Sequence, residues 1–248
     1  MTVNLFVLST GFQYYFSTLL IEHLRLTDVV YAMYQPREGI ERRAAARHPV
    51  VFADASDTAT RLFGKKIGKL RFARRAFDTL GLRGKQVRVF APYYNESFVY
   101  ALRRLLDRHC AGVEYNMIPD GAALLRHLPG KAKGGALPGW LLRLVFGVEP
   151  ADVRHKSGSW SPFLNRVYHF AAKQIHADPA KLVIVPLHHS EQPPSDEVLV
   201  IGGLRGVSRE FVLAARERAR WHPVRFRMHP KNRRGIEFIA AEAPGTYV

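Results

Sequence analysis

The sequence predicts an α/β fold of parallel strands and crossover helices, arranged as two unequal halves. Three observations carry this. Apolar runs of strand length alternate with segments of helical spacing from the first residues onward. The earliest run, Val3–Ser9, is apolar almost throughout instead of alternating, the pattern of a strand covered on both faces. A fresh strand–helix–strand unit then begins at Glu197, after a loop carrying Pro193-Pro194-Ser195-Asp196. The division is drawn at residues 1–180 for the first α/β domain and 181–248 for the second half.

Taken in order, Val3–Ser9 is a buried strand that Thr10-Gly11 turns into a helix over Phe12–Arg25, where Phe12, Tyr15, Phe16, Leu19, Leu20 and Leu24 recur at helical spacing. Val29–Met33 and Val50–Ala53 read as strands. Between Arg61 and Phe90 stand ten Lys or Arg residues against one acid, Asp78. Lys65, Lys66, Lys69, Arg71, Arg74 and Arg75 interleave there with Leu62, Phe63, Ile67, Leu70, Phe72 and Phe77. That is a basic amphipathic helix, a form used on membranes and nucleic acids and equally on the solvated face of a packed helix. Gln86–Pro92 is a strand running into Tyr93-Tyr94-Asn95-Glu96, and Ser97–Arg108 is a helix. Tyr93 and Asn95 are candidates to face a ligand crevice or to serve as turn and cap residues.

Val113, Tyr115 and Met117 alternate with Glu114 and Asn116, so Gly112–Ile118 is a strand. Pro119 stops it, and Asp120-Gly121 turns into a short helical run, Ala122–His127. Asp120 is either the cap of that run or a functional carboxylate at the carboxyl end of a strand, where open α/β sheets bind ligands. Trp140–Val148 is an apolar patch too short to span a bilayer, fit to dip into one or to cover the core. Ser161–Ile175 reads as a helix through Phe163, Leu164, Val167, Tyr168, Phe170 and Ala171. Leu182–Leu187 is strand-like. In the second half Val198–Ile201 is a strand, Gly202-Gly203 lets a ligand approach the backbone, Ser208–Arg220 is a helix, Val224–Met228 a strand, and Ile236–Ala240 one more candidate strand.

Of the 248 residues, 47% are hydrophobic and 23% charged, ordinary for a globular chain. The net charge of +16 calls for an anionic partner: nucleic acid, an acidic membrane surface or a phosphorylated substrate. The single cysteine, Cys110, excludes an internal disulfide and a cysteine-based zinc cage. His188-His189 is a poor metal pair, because neighbours on a strand point to opposite faces. No apolar run reaches the roughly 18 residues of a membrane span, and no secretion signal opens the chain. A cytoplasmic protein is expected. Gly202-Gly203-Leu204-Arg205-Gly206 has the spacing of neither a phosphate-binding P-loop nor a dinucleotide fingerprint.

Two short motifs stand at strand ends in separate halves: Pro119-Asp120-Gly121 after Tyr115-Asn116-Met117-Ile118, and Arg227-Met228-His229-Pro230 after Val224. Their order resembles that of the bacterial sialyltransferases that include the lipooligosaccharide sialyltransferases and capsule polysialyltransferases, which pair an acidic-residue–Gly motif with a later His-Pro motif. Thr10-Gly11-Phe12-Gln13 and Val198–Gly203 resemble the start of that family and the first strand and Gly loop of its nucleotide-binding half. The resemblance implies a GT-B fold of two Rossmann-like halves facing a cleft, the second short or incomplete because the chain stops at Val248 soon after Pro230.

It also implies metal-independent sialyl transfer from CMP-sialic acid to a surface glycan. Asp120 would be the general base and His229 would stabilise the CMP phosphate. Gly202, Gly203, Arg205, Pro230 and Lys231 would bind the donor, and Gln13, Tyr93 and Asn95 would lie on the acceptor side. No cofactor or metal is expected, CMP-sialic acid being a substrate. The partners expected are a sugar nucleotide, a glycan or glycolipid acceptor built at the inner membrane and the anionic surface of that membrane, with a homodimer through an uncovered sheet as a further expectation. The competing classes are a basic nucleic-acid-binding protein, which would lack a recognisable reading module, and an inactive truncated glycosyltransferase homologue.

Overall fold

In a computed structural model, the described residues are 2–34, 44–53, 64–120, 124, 139–152, 154–155, 157–170, 175–185, 198–202, 209–219, 224–228, 237–239 and 241. They fall into two compact units, Met1–His188 and His189–Val248.

The first unit is organised by seven parallel strands: β1 (Thr2–Leu8), β2 (Val29–Met33), β3 (Val50–Phe52), β4 (Gln86–Ala91), β5 (Gly112–Met117), β6 (Leu164–His169) and β7 (Leu182–Ile184). Their order in the sheet is β3-β2-β1-β4-β5-β6-β7. The chain thus winds outward from β1 in one direction, returns to β4 on the other side of β1, and continues outward from there. Between β1 and β4 the winding direction reverses. A crevice forms at such a point because the connections following the two strands leave toward opposite faces.

Both faces are covered, which explains why the strands carry so few polar residues. Val3, Leu5 and Val7 of β1 meet one core, and Phe6 and Leu8 meet the other. The first core receives α2 (Gly64–Thr79) through Phe72, Ala73, Ala76 and Phe77, and α3 (Ser97–His109) through Phe98, Leu102 and Leu106. The second receives α1 (Gly11–Leu24) through Phe16 and Leu20. A short helix, α4 (Gly139–Phe146), rests on α3 where Phe146 stacks on Tyr100, ring centroids 5.8 Å apart.

Two sequence expectations are corrected in this unit. The helix expected over Ser161–Ile175 is absent from the described residues 161–170, whose centre is β6, paired with β5 and β7. Val167, Tyr168 and His169 are buried in succession, as in a central strand, and β-branched and aromatic residues suit that surface better than a helix. The apolar spacing fitted a helix because a short run buried on both faces carries no period that distinguishes the two. Leu182–Ile184, read as the start of the second half, completes the first sheet instead.

The second unit contains β8 (Val198–Gly202) and β9 (Val224–Met228), parallel partners joined through α5 (Arg209–Ala219). Val212, Phe226 and Ile239 form its buried centre. Glu237–Ile239, expected as a strand, is helical, which lets Ile239 pack on that centre. The run expected as a helix after Asp120 lies outside the described residues, Leu124 excepted.

Candidate functional site

The first turn of α1 begins the site. Thr10 is the N-cap in extended conformation, and its hydroxyl accepts from the Gln13 amide N–H at 3.3 Å. Gln13 answers with its side-chain carbonyl, which accepts from the backbone N–H groups of Ser9 (2.6 Å) and Thr10 (3.1 Å) and from the Ser9 hydroxyl (3.2 Å). This is a capping box in which Gln13 satisfies amide donors that would otherwise be orphaned. With its oxygen so occupied, the buried Gln13 side chain has its NH2 fixed in direction, and Nε2 donates to Asp120 Oδ1 at 2.6 Å.

The other oxygen of Asp120, Oδ2, accepts from the Tyr93 hydroxyl. Gln13 follows β1, Tyr93 stands just past β4 and Asp120 just past β5, so the segments after three consecutive neighbours in the sheet contribute one side chain each to one network centred on the Asp120 carboxylate. Asn116 Nδ2 donates to Glu114 Oε1 at 3.1 Å in the strand leading to Asp120. Burial, then the bond to Asp120 and that carboxylate's charge, with Glu96 adding, push the Tyr93 phenol well above its ordinary range. Tyr93 is therefore a neutral donor at every physiological pH. Each Asp120 oxygen accepts one bond and keeps a lone pair for a further donor.

Tyr93 also lines a shallow, open cleft, with Leu8 and Ser9 from the end of β1, Pro92 from the end of β4, and Tyr34, Glu96 and Phe98. It lies at the reversal point of the sheet. Its rim carries an ion pair: Lys69 Nζ is 3.1 Å from Glu96 and 5.1 Å from the centre of the Tyr34 ring. Apolar ring faces next to fixed hydrogen-bonding groups are what a sugar or other polyhydroxylated ligand requires, its C–H face packing and its hydroxyls bonding.

Of the residues singled out in the sequence, Gln13, Tyr93 and Asp120 are thus brought into one network. Asn95 lies exposed on the loop after Tyr93. Gly202 ends β8, in register with Met228 of β9. Gly203, Arg205, His229, Pro230 and Lys231 lie outside the described residues. Among the described residues no group of three or more His, Cys, Asp or Glu could hold a metal ion. His48, in another His-Pro pair, packs its ring 5.5 Å from that of Tyr31. Ser9 and Glu96 were not singled out as site residues. Ser9 was readable, since Thr10-x-x-Gln13 has the capping-box form; the pairing of Lys69 with Glu96 across two helices has no local signal.

No protein-family profile matches the chain, and no curated protein does. Among solved structures it is similar to CalG4, the calicheamicin glycosyltransferase, with a TM-score of 0.52 and 15% identity over all of this chain and 69% of that one. It is also similar to MurG of Acinetobacter baumannii (TM-score 0.42, 14% identity, 99% of this chain and 64% of that chain). A third likeness is to a putative UDP-N-acetylglucosamine 2-epimerase of Listeria monocytogenes (0.49, 10%, all of this chain and 68% of that chain). The chain spans about two thirds of the length of these structures. At such identities the likeness to CalG4 is one of fold: α/β, Rossmann-like, of the GT-B kind.

Proposed function

We propose that this protein is a metal-independent glycosyltransferase that transfers a sugar from a sugar nucleotide to a hydroxyl of a glycan or glycolipid acceptor, with Asp120 as general base. The observation that carries this reading is the suspension of the Asp120 carboxylate between Gln13 and Tyr93, the latter also lining a cleft where the sheet reverses. The fold likeness to a glycosyltransferase supports it.

The reaction asks three things of the protein. The acceptor hydroxyl must be held beside a base; the free lone pairs of Asp120 offer it a hydrogen bond, and Gln13 and Tyr93 fix the plane of the carboxylate so that little reorganisation is needed. As the bond from the anomeric carbon to the leaving phosphate oxygen breaks, that oxygen keeps the electron pair and the carbon becomes oxocarbenium-like. The acceptor oxygen then forms the new glycosidic bond and its proton passes to Asp120. Finally the departing phosphate must be stabilised, which hydrogen bonds and cationic side chains can do. In our reading His229 does this with Pro230 and Lys231, and Gly202, Gly203 and Arg205 help bind the nucleotide. Tyr93 and Asn95 would meet the acceptor, whereas Gln13 acts on it through Asp120.

The donor we propose is CMP-sialic acid, on the strength of the paired Asp-Gly and His-Pro motifs, with the acceptor a surface glycan assembled at the cytoplasmic face of the inner membrane. The full chain incubated with CMP-sialic acid, with UDP-sugars and with a lipooligosaccharide-type acceptor, nucleotide release being measured, tests it. Acceptor-dependent CMP release, lost in Asp120→Asn, is expected. Release of UDP instead would replace the donor and keep the base; no release from any sugar nucleotide would overturn the enzymatic reading.

A further inference from the structure

A second feature of the first unit belongs to a different chemistry. Helix α4 carries Trp140 and Leu144 one turn apart, 67% and 73% exposed, with Val145 beside them at 43%. Spacing of four residues puts the first two on one stripe. The exposure does not come from a loosely attached helix. Phe146 and Val148 are buried, Phe146 stacks on Tyr100 of α3, and the Gly147 N–H closes the helix end onto the Arg143 carbonyl at 2.7 Å. Arg104 of α3 donates to the Val145 carbonyl, and the Arg108 guanidinium lies at Gly147. Those two arginines approach the carbonyl end of α4, where the helix dipole favours cations.

Arg104, Arg108 and Arg143 therefore border the apolar stripe. Acids nearby are few: the Asp107 carboxylate accepts from Tyr115, and Glu149 lies exposed beyond the helix. An eight-residue helix is about 12 Å long, far short of the roughly 30 Å hydrocarbon core. No described helix is long and apolar enough to cross a membrane.

We propose that the outer face of α4 is a docking surface for an anionic lipid bilayer, with Trp140, Leu144 and Val145 entering the headgroup region and Arg104, Arg108 and Arg143 meeting lipid phosphates. The charge of the border selects this occupant, because an apolar stripe ringed by arginine is complementary to a surface that is oily and negative at once. The net charge of +16 adds long-range attraction to the same target. The surface does not depend on the proposed transfer reaction, and none of its residues touches Asp120 or lines the cleft.

The test is flotation of the full chain with phosphatidylcholine vesicles, with and without phosphatidylglycerol. Binding is expected on the anionic vesicles, fading at high salt. Trp140→Ser with Leu144→Ser lowers it by at least about tenfold, since each side chain loses a buried apolar surface. Arg108→Gln and Arg143→Gln lower it about fivefold each on anionic vesicles. Circular dichroism melting checks that these exposed substitutions leave the fold intact, and transfer of sugar to a soluble acceptor, followed as nucleotide release, serves as an independent readout that stays unchanged. Three results would overturn the proposal: undiminished binding by the Trp140/Leu144 variant, binding abolished instead by Arg71→Gln with Arg74→Gln on α2, or a wild-type dimer in light scattering that the Trp140/Leu144 variant dissociates while neither binds vesicles.

Discussion

The Asp120 site and the outer face of α4 share one unit and are built in opposite ways. Around Asp120 each side chain has its partners inside the chain: both carboxylate oxygens accept, Gln13 uses its oxygen and its NH2, and the Tyr93 hydroxyl donates. On α4 large apolar groups stand out in solvent while the helix beneath them is firmly packed. A site prepared for chemistry keeps its polar groups oriented before a ligand arrives, because reorganisation during the reaction is costly. A surface prepared for docking leaves apolar area uncovered until the partner covers it. The two are therefore expected to fail separately.

Asp120→Asn should have the largest effect. The amide is nearly isosteric, its oxygen can still accept from Gln13, and the Tyr93 hydroxyl can turn to accept from its NH2, so the fold should persist. Transfer should fall about 10²–10⁴-fold with vesicle binding unchanged, measured as nucleotide release and flotation on one preparation. Turnover within about threefold of wild type would remove Asp120 from the role of base.

Phe146→Ala sharpens the other side of the comparison. Loss of its stacking on Tyr100 should cost about 3 kcal/mol in urea unfolding and release α4, weakening lipid binding while the Asp120 network persists. An equal loss of turnover would show that α4 and the cleft are coupled. Tyr93→Phe removes one donor to Asp120 and should lower turnover about tenfold, with the stability change confined to one hydrogen bond.

The buried phenols give a pH prediction. Burial raises Tyr93, Tyr94 and Tyr115 above the ordinary phenol value and Tyr31 to about 12; nearby carboxylates add to the rise at Tyr93 and Tyr115, whereas Arg103 opposes it at Tyr94 and the Ser17 hydroxyl opposes it at Tyr31. A raised folded-state value means the folded protein holds the proton more tightly than the unfolded chain does. Stability from this source is whole below about pH 10 and is lost as pH climbs past it. Urea unfolding at rising alkaline pH should show this, and Tyr31→Phe should flatten the fall between pH 10 and about 12. The smallest effect belongs to α2: Arg74 pairs with Asp78 at 3.0 Å on an exposed face, and Arg74→Ala should change stability by only about 0.3–0.5 kcal/mol.

Helix α2 also shows where reading the sequence stops. The ten-to-one surplus of base over acid from Arg61 to Phe90, centred on this helix, fitted a lipid or nucleic-acid surface and equally the solvated face of a packed helix. In the fold Lys69 is engaged by Glu96 and Tyr34, and Arg75 donates to the Phe52 carbonyl at 2.8 Å. Charge is additive along a sequence, but its engagement depends on what packs opposite, and that is not local. The same limit hid the exposure of Trp140 and Leu144, since an apolar residue looks alike whether it faces a core or solvent. The strands β1, β2 and β4 were legible because burial on both faces leaves an apolar run, β5 because Val113, Tyr115 and Met117 alternate with Glu114 and Asn116, and Asp120 because Pro and Gly punctuate its strand end. Strand β6 was not, for its residues satisfied the helical period by coincidence.

Gln13 has a consequence that lies outside catalysis. The oxygen that closes the first turn of α1 and the NH2 that steers Asp120 belong to one amide, so neither task can be released without the other. If the amino end of α1 frays, the carboxylate loses a partner at the same instant. The backbone amides of Ser9 and Thr10 thereby become natural reporters: their exchange with solvent deuterium should quicken in any variant or condition that loosens the Asp120 carboxylate, before a global probe of unfolding records a change.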